Sequence, residues 1–285
     1  MALGAIIVFM VAITETVGGS SQANRCINDW DALSVKFPNR MNLPITIEQA
    51  VEQGWVKKDA RSCKDHSYFV GKRWELPGSE MPYILFGENN KLAGIQSVFP
   101  NTIEVPKHYK EMFQEENTRY HLTAYFTQPE NICWDKAPSE RHCIGNSLYI
   151  QVGSNKNHVL KVPLLQQNLK NTNWVIGHCF NGMGTHYWYN VTSYMKYEDF
   201  LPVFLLYNDG RLNGFGWAVK GNTPGNMSYE HPPAYAIELF FRDATLPRFM
   251  IQLRHRTTQH FFMQSDIKKY NTCSMLGMFK HYRGN

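Results

Sequence analysis

The chain has 285 residues, of which 43% are hydrophobic, and it carries 29 Lys and Arg against 24 Asp and Glu, a net charge of +5. This content is sufficient for a folded core, and it excludes a low-complexity or strongly charged chain. The basic residues form no dense run, so we expect no nucleic acid partner.

The N-terminal segment has the pattern of a secretory signal peptide. An apolar run at residues 5–13 is followed by small residues at 18–21, which is typical of an h-region and its cleavage site. We predict a signal peptide over residues 1–19, with cleavage as late as residue 23 as the alternative. The run is too short to span a bilayer, and no later segment offers a long uninterrupted apolar stretch. We therefore expect a secreted, extracellular protein with no membrane span.

The chain contains an internal repeat. Residues 81–99 align with residues 201–219 without a gap, and upstream Trp55 aligns with Trp174. A repeat of about 115–120 residues is far longer than the units of solenoids or propellers. The sequence therefore predicts two homologous copies, related by a pseudo-twofold axis, as two domains or as halves of one. The predicted ranges are 24–138 for the first copy and 139–285 for the second.

The predicted fold class is mainly β with a few short helices. Thr46 begins a capping-box pattern for a short helix that stops at Gly54. The second copy has the richer loops, at residues 177–185 and 221–233, and such loops often carry function. The other predicted elements are hairpin turns at 88–90 and 208–210, a helix at 107–116, final strands at 120–126 and 235–241, and a tail strand at 248–256.

Six cysteines and two sequons agree with export. Duplication favours one bond within each copy, so we predict Cys26–Cys63 and Cys143–Cys179, with Cys133 and Cys273 paired with each other or free. The sequons predict glycans at Asn190 and Asn226.

The segment 185–190, Thr-His-Tyr-Trp-Tyr-Asn, is the richest candidate for a site. The repeat aligns His186 with His66, and each histidine follows a cysteine of its copy. One interpretation is a packed strand inherited by both copies. On a strand Trp188 points opposite to Tyr187 and Tyr189, so only one set of rings can be buried.

Three site chemistries remain open for this segment. His186 could act as an acid or base with a carboxylate, Glu230 or Glu238. His178 and His186 could hold a metal with a third ligand. Exposed rings of Tyr187, Trp188 and Tyr189 could bind a sugar or another flat ligand. The third metal ligand would be His231, His255 or His260, and the polar partners of a ring-bound ligand would be Asn190 and Asn208.

These patterns lead to three functional hypotheses. We expect a secreted glycoprotein that binds a small molecule or glycan in a cleft formed by histidine and aromatic side chains. The alternative is a secreted enzyme that uses His186, with His66 across the pseudo-twofold axis and with or without a metal. The third is a matrix or structural protein. Arg254 and Arg256, on the face opposite His255, suggest a small anion site or a solvated face.

Overall fold

The computed structural model describes residues 30–134, 143–225 and 227–266, together with Cys273. Strands make up most of the regular structure, so the prediction of a mainly β fold with few short helices is confirmed. No helix in these ranges is both long and apolar enough to cross a membrane. The strands are β1 (Leu33–Val35), β2 (Met41–Leu43), β3 (Val56–Lys57), β4 (Lys72–Glu75), β5 (Tyr83–Phe86), β6 (Leu92–Pro100), β7 (Gln114–Glu116), β8 (Arg119–Tyr125), β9 (Leu148–Gln151), β10 (Val159–Val162), β11 (Trp174–Phe180), β12 (Gly184–Tyr189), β13 (Val203–Asn208), β14 (Arg211–Lys220) and β15 (Arg256–Phe262). The helices are α1 (Ile47–Glu52) and α2 (Arg248–Gln252), with short 3-10 helices at Lys107–Met112, Pro129–Asn131, Gln166–Leu169, Tyr197–Asp199 and Ala234–Leu239.

The strands form two antiparallel sheets. The first sheet has seven strands in the order β11-β12-β13-β14-β15-β1-β2. The second has eight, in the order β10-β9-β8-β6-β5-β4-β3, with β7 paired beside β8. In each sheet the last strands come from the other half of the chain, because β1 pairs with β15 and β9 pairs with β8. Each sheet is therefore completed by a hairpin from the other half.

One apolar core lies between the two sheets. Side chains from both sheets belong to it, and Phe126 meets Phe215 edge to face with ring centroids 6.3 Å apart. Trp217 Nε1 donates a hydrogen bond to Ser97 Oγ at 2.7 Å, which satisfies a buried polar group between the sheets. Because this core occupies the inner faces, each sheet keeps one outer face for other contacts.

Local signals placed α1 and the two hairpin turns correctly. Thr46 Oγ1 accepts a hydrogen bond from Gln49 N, and Gly54 follows the helix at φ +81°. The turn between β13 and β14 has Asp209 at φ +49° and Gly210 at φ +75°. Two consecutive left-handed residues fit the type I′ turn that joins twisted strands.

The predicted strands at 235–241 and 248–256 are wrong. The first region contains the 3-10 helix Ala234–Leu239, and the second contains α2, with β15 beginning only at Arg256. Pro233 and Pro247 stand directly before these helices, with φ near −65°. The proline ring fixes φ at a value that suits the first turn of a helix. These segments therefore form helical turns, although their alternating apolar residues are typical of strands.

The predicted helix at 107–116 is only partly correct. The 3-10 helix ends at Met112, and residues 114–116 form β7, which pairs with β8. Tertiary pairing of the backbone thus overrides the helical propensity of the glutamates in this segment.

The predicted disulfide pairing is wrong. Cys63 is bonded to Cys133 and Cys179 to Cys273, with Cα atoms 5.7 Å apart in each pair. Each bond stays within one predicted copy, but it joins residues 70 and 94 positions apart rather than the nearest cysteines. Of the other predicted partners, Cys26 lies outside the described residues and Cys143 is also disulfide-bonded.

We predict that a non-reducing peptide map will contain the Cys63–Cys133 and Cys179–Cys273 cross-links. Replacing Cys63 and Cys133 together by serine should lower the free energy of unfolding by about 2–4 kcal/mol, because the bond closes a long loop in the unfolded chain. Urea unfolding of the secreted protein measures this loss. A peptide linking Cys26 to Cys63 would contradict the observed pairing.

Candidate functional site

A cavity of about 260 Å³ lies on the outer face of the first sheet. Strands β12 to β15 contribute to its floor, and the 3-10 helix Ala234–Leu239 and α2 contribute to its cover. The surface that it exposes is almost entirely apolar. Its apolar lining includes Phe180, Met183, Phe204, Phe240 and Met250. An apolar recess with few polar groups is the usual form of a small-molecule site.

One wall of the cavity carries a strip of polar side chains from β15. Arg256, Thr258 and His260 occupy alternate positions of this strand and all line the cavity, because successive side chains of a strand point to opposite faces. At a rise of about 3.3 Å per residue, the Cα atoms of Arg256 and His260 are about 13 Å apart. Polar groups therefore stand along one wall of an otherwise apolar space.

Glu230 fixes the ring of His260 at one end of this strip. The Glu230 carboxylate accepts hydrogen bonds from Phe37 N at 2.7 Å and from Thr258 Oγ1 at 2.9 Å, and lies 3.0 Å from His260 Nδ1. Because an ionised carboxylate only accepts, His260 Nδ1 carries the hydrogen. In the neutral ring Nε2 is then an acceptor, and no hydrogen bond joins it to another described residue.

His186 is packed against the cavity wall and is only 1% exposed. Its Nδ1 lies 3.3 Å from the carbonyl oxygen of His178, and its ring centroid is 4.9 Å from that of Phe240 and 5.7 Å from that of Phe204. Burial, together with the nearby ring of His260, lowers the pKa of His186 to about 3. Burial therefore favours the neutral imidazole at physiological pH.

The aromatic residues after His186 alternate between the faces of the sheet as the sequence predicts, but the prediction that only one set of rings can be buried is wrong, because Tyr187 and Trp188 are both buried. Tyr187 and Tyr189 pack on the shared core, whereas Trp188 lies on the outer face and lines the cavity. Trp188 is 3% exposed, stacks on Phe241 at 4.1 Å and donates a hydrogen bond to Phe240 O at 3.1 Å. A sugar platform needs an open ring face, and Tyr187, 7% exposed, and Trp188 offer little of one.

The structure does not bring the predicted metal ligands together. Nδ1 of His178 lies 3.2 Å from the carbonyl oxygen of Glu238, and the carbonyl oxygen of His178 lies 3.3 Å from Nδ1 of His186. In the described ranges, no group of three or more His, Cys, Asp or Glu side chains is arranged to hold a metal ion. Of the predicted third ligands, His231 and His260 line the cavity and His255 does not.

His186 and His66 lie in different settings. In the strand registers, His186 lies opposite Leu206 on β13, whereas Arg73 lies opposite Leu85 on β5. His66 lies in the loop before β4 and not on a strand. The correspondence of the two histidines across the repeat stays a prediction.

Arg73 fills its part of the second sheet's outer face. It is 4% exposed, and its guanidinium binds both carboxylate oxygens of Glu116, at 2.7 and 3.0 Å, and Asp59 at 3.2 Å. Bidentate pairing of this kind is strong and specific. The bonds from Arg73 hold the pKa of Glu116 at about 2. Where the first sheet has a cavity, the second has a closed ion-pair network.

His66 belongs to this network and not to the cavity. It is 3% exposed, its ring stacks on Phe69 at 3.9 Å, and its Nε2 lies 3.5 Å from Asp59. Burial lowers the pKa of His66. His66 and His186 lie on the outer faces of different sheets, with the shared core between them, so they cannot act on one substrate.

Among the remaining predicted polar residues, Asn190 and Asn208 do not line the cavity. Asn190 is exposed at the end of β12 with φ +51°, and Asn208 lies at the hairpin turn. Asn226 lies outside the described residues. Arg254 is exposed, whereas Arg256 is 5% exposed and lines the cavity.

The apolar walls are the part of the site that the sequence interpretation missed. Phe204 and Ala218 face the cavity from β13 and β14. The run Val203–Tyr207 is apolar at every position, which indicates a strand buried on both faces rather than one. That signal predicts a covered outer face, though not what covers it.

Compared with protein-family models, curated proteins and solved structures, the chain has no significant match. The site is therefore characterised by its own geometry.

We predict that the ring resonances of His186 will not titrate between about pH 8 and pH 5, because burial favours the neutral imidazole. Proton NMR of the histidine C2 protons, assigned with a His186→Asn variant, measures this. A midpoint near the ordinary value of about 6.5 would contradict the buried, neutral state.

Proposed function

We propose that this protein binds a small, mainly apolar molecule in the cavity on the outer face of its first sheet. The observation that carries the proposal is a mainly apolar recess of about 260 Å³ with a strip of polar side chains from β15 along one wall. This volume is close to the lower end of the range for small-molecule sites, about 300–1,000 Å³. An apolar body would gain from burial, and the strip would fix its orientation.

The burial of His186 and the polar strip on β15 both support recognition of a ligand rather than catalysis by His186. The pKa of His186 is lowered to about 3 and its ring is packed among aromatic side chains. His260 has its Nδ1 bound to Glu230, so its Nε2 is the ring nitrogen left to form a hydrogen bond with a ligand. A glycan is a poorer fit, because its many hydroxyls would lose their water against apolar walls.

We also infer that the protein is secreted and glycosylated. The Cys63–Cys133 and Cys179–Cys273 disulfides and the N-terminal apolar run support export. Asn190 is exposed at a strand end, where a glycan can be attached without disturbing the cavity. The second sequon, at Asn226, supports the same inference from the sequence alone.

We further infer that the two halves arose by duplication and then diverged at this site. The matching order of strands in the two sheets supports the inference, as does the correspondence of Trp55 with Trp174. On this reading His186 and Arg73 stand at equivalent positions. One half keeps a closed network and the other a cavity, so we expect one ligand per chain.

We predict that the protein binds N-phenyl-1-naphthylamine, a neutral apolar fluorophore, with a stoichiometry of one. Ala218 lines the cavity, so the Ala218→Leu variant should weaken binding about tenfold or more by filling the space, a loss of about 1.4 kcal/mol. Fluorescence titration measures both affinities.

The matched control is Ala60→Leu, which makes the same change at an exposed residue outside the cavity lining. It should bind the fluorophore like the original chain. Equal binding by the Ala218→Leu variant, with both variants folded by thermal unfolding, would contradict the cavity as the binding site.

We predict that the protein is found in the medium when it is expressed in a eukaryotic secretory cell. Treatment with peptide N-glycosidase F should lower its apparent mass on gels. The Asn190→Gln variant should lack one of the removable glycans, because the acceptor of the sequon must be asparagine and this side chain is exposed. Retention inside the cell, or an unchanged gel position, would contradict export and glycosylation.

A further inference from the structure

Arg256 is a buried cation without an anionic partner in the described part of the chain. It is 5% exposed at the start of β15 and lines the cavity. Nη1 donates to Ala234 O at 3.4 Å and Nη2 donates to Leu253 O, while Nε is buried with no hydrogen-bond partner. Among the described residues, no carboxylate lies within 4.0 Å of this guanidinium.

An unpaired charge in an apolar wall is costly. Removing an ion from water costs several kcal/mol unless an opposite charge and hydrogen bonds compensate. The closed network of the second sheet shows the usual solution, because the Nη atoms of Arg73 pair with the carboxylates of Glu116 and Asp59 there, although its Nε, like that of Arg256, has no hydrogen-bond partner. Arg256 has backbone carbonyls in place of a carboxylate, and the adjoining space is a cavity.

The other charges around the cavity leave the Arg256 end positive. Lys220 stands opposite Arg256 in the strand register and pairs with Glu104 at the rim. The negative charge of Glu230 is held by His260, Thr258 and a backbone amide toward the other end of the strip. An anionic group is therefore favoured at the Arg256 end.

We propose that the ligand of this cavity is a small apolar molecule with a carboxylate, and that Arg256 binds the carboxylate. The inference rests on the proposed cavity function and adds the chemical class of the ligand. The guanidinium supplies planar, paired donors that match a carboxylate. The apolar walls take the hydrocarbon or aromatic body, and the carboxylate supplies the missing partner of the buried cation.

A purely structural role for Arg256 is the competing explanation, because its bonds tie β15 to the 3-10 helix Ala234–Leu239 and to the end of α2. Both roles predict that losing Arg256 lowers stability. Only carboxylate binding predicts a change in ligand selectivity, so selectivity is the deciding measurement.

The experiment displaces bound N-phenyl-1-naphthylamine with decanoate or with 1-decanol at neutral pH, where the carboxylate is ionised. The two probes share one hydrocarbon body and differ in the charged group. In the original chain, decanoate should displace the fluorophore at a concentration about tenfold lower than 1-decanol. No preference for decanoate, with the fluorophore bound, would overturn the carboxylate assignment and leave the cavity function standing.

Variants of Arg256 test whether this side chain produces the preference for decanoate over 1-decanol. The Arg256→Met variant keeps the length of the side chain and should lose the preference for decanoate, with 1-decanol unaffected. The Arg256→Lys variant keeps the charge without the planar fork and should retain part of it. The matched control is Arg254→Met, at an exposed arginine two residues earlier, and it should keep the full preference.

Three further results are decisive. An unchanged preference in Arg256→Met would overturn the role of Arg256. If that variant does not fold, the comparison of decanoate with 1-decanol on the original chain and on Arg256→Lys still decides the case. Failure of the original chain to bind the fluorophore would instead overturn the cavity function on which the inference rests.

Discussion

The packing of two sheets on one apolar core is the constraint on which the rest of the structure depends. Each sheet buries its inner face there, and β1-β2 and β9-β10 complete the sheet of the other half. Removing this apolar surface from water is the main favourable term in folding. Only the outer faces are then left for function, and apolar residues on them require a cover.

The two outer faces are covered in different ways. On the second sheet, the Cys63–Cys133 bond and the Arg73 network close the surface. On the first sheet, the 3-10 helix Ala234–Leu239 and α2 cover the strands and leave a cavity that His186 lines. Gly216 contributes to this geometry, because a Cβ there would lie 2.2 Å from Phe204 Cζ, so the glycine makes room for a ring of the cavity wall.

Predictions from the sequence succeeded where the physics is local. The side-chain oxygen of Thr46 caps α1, and the Asp209-Gly210 turn needs left-handed backbone that its residues adopt readily. The alternation of side chains along a strand likewise predicted that Trp188 and Tyr187 lie on opposite faces of the sheet. The correspondence of His186 with His66 stays a prediction, since His186 lies on β12 and His66 lies in a loop.

Local patterns specify the β-rich class, the helix cap, the turns and the faces of β12, since these follow from sterics and hydrogen bonds within a few residues. Long-range packing sets which cysteines pair, where the segment after β14 packs, and that Glu230, His260 and Arg256 line one cavity. Those residues come together because β15 pairs between β14 and β1. That choice is set by burial across the whole chain, and no local pattern encodes it.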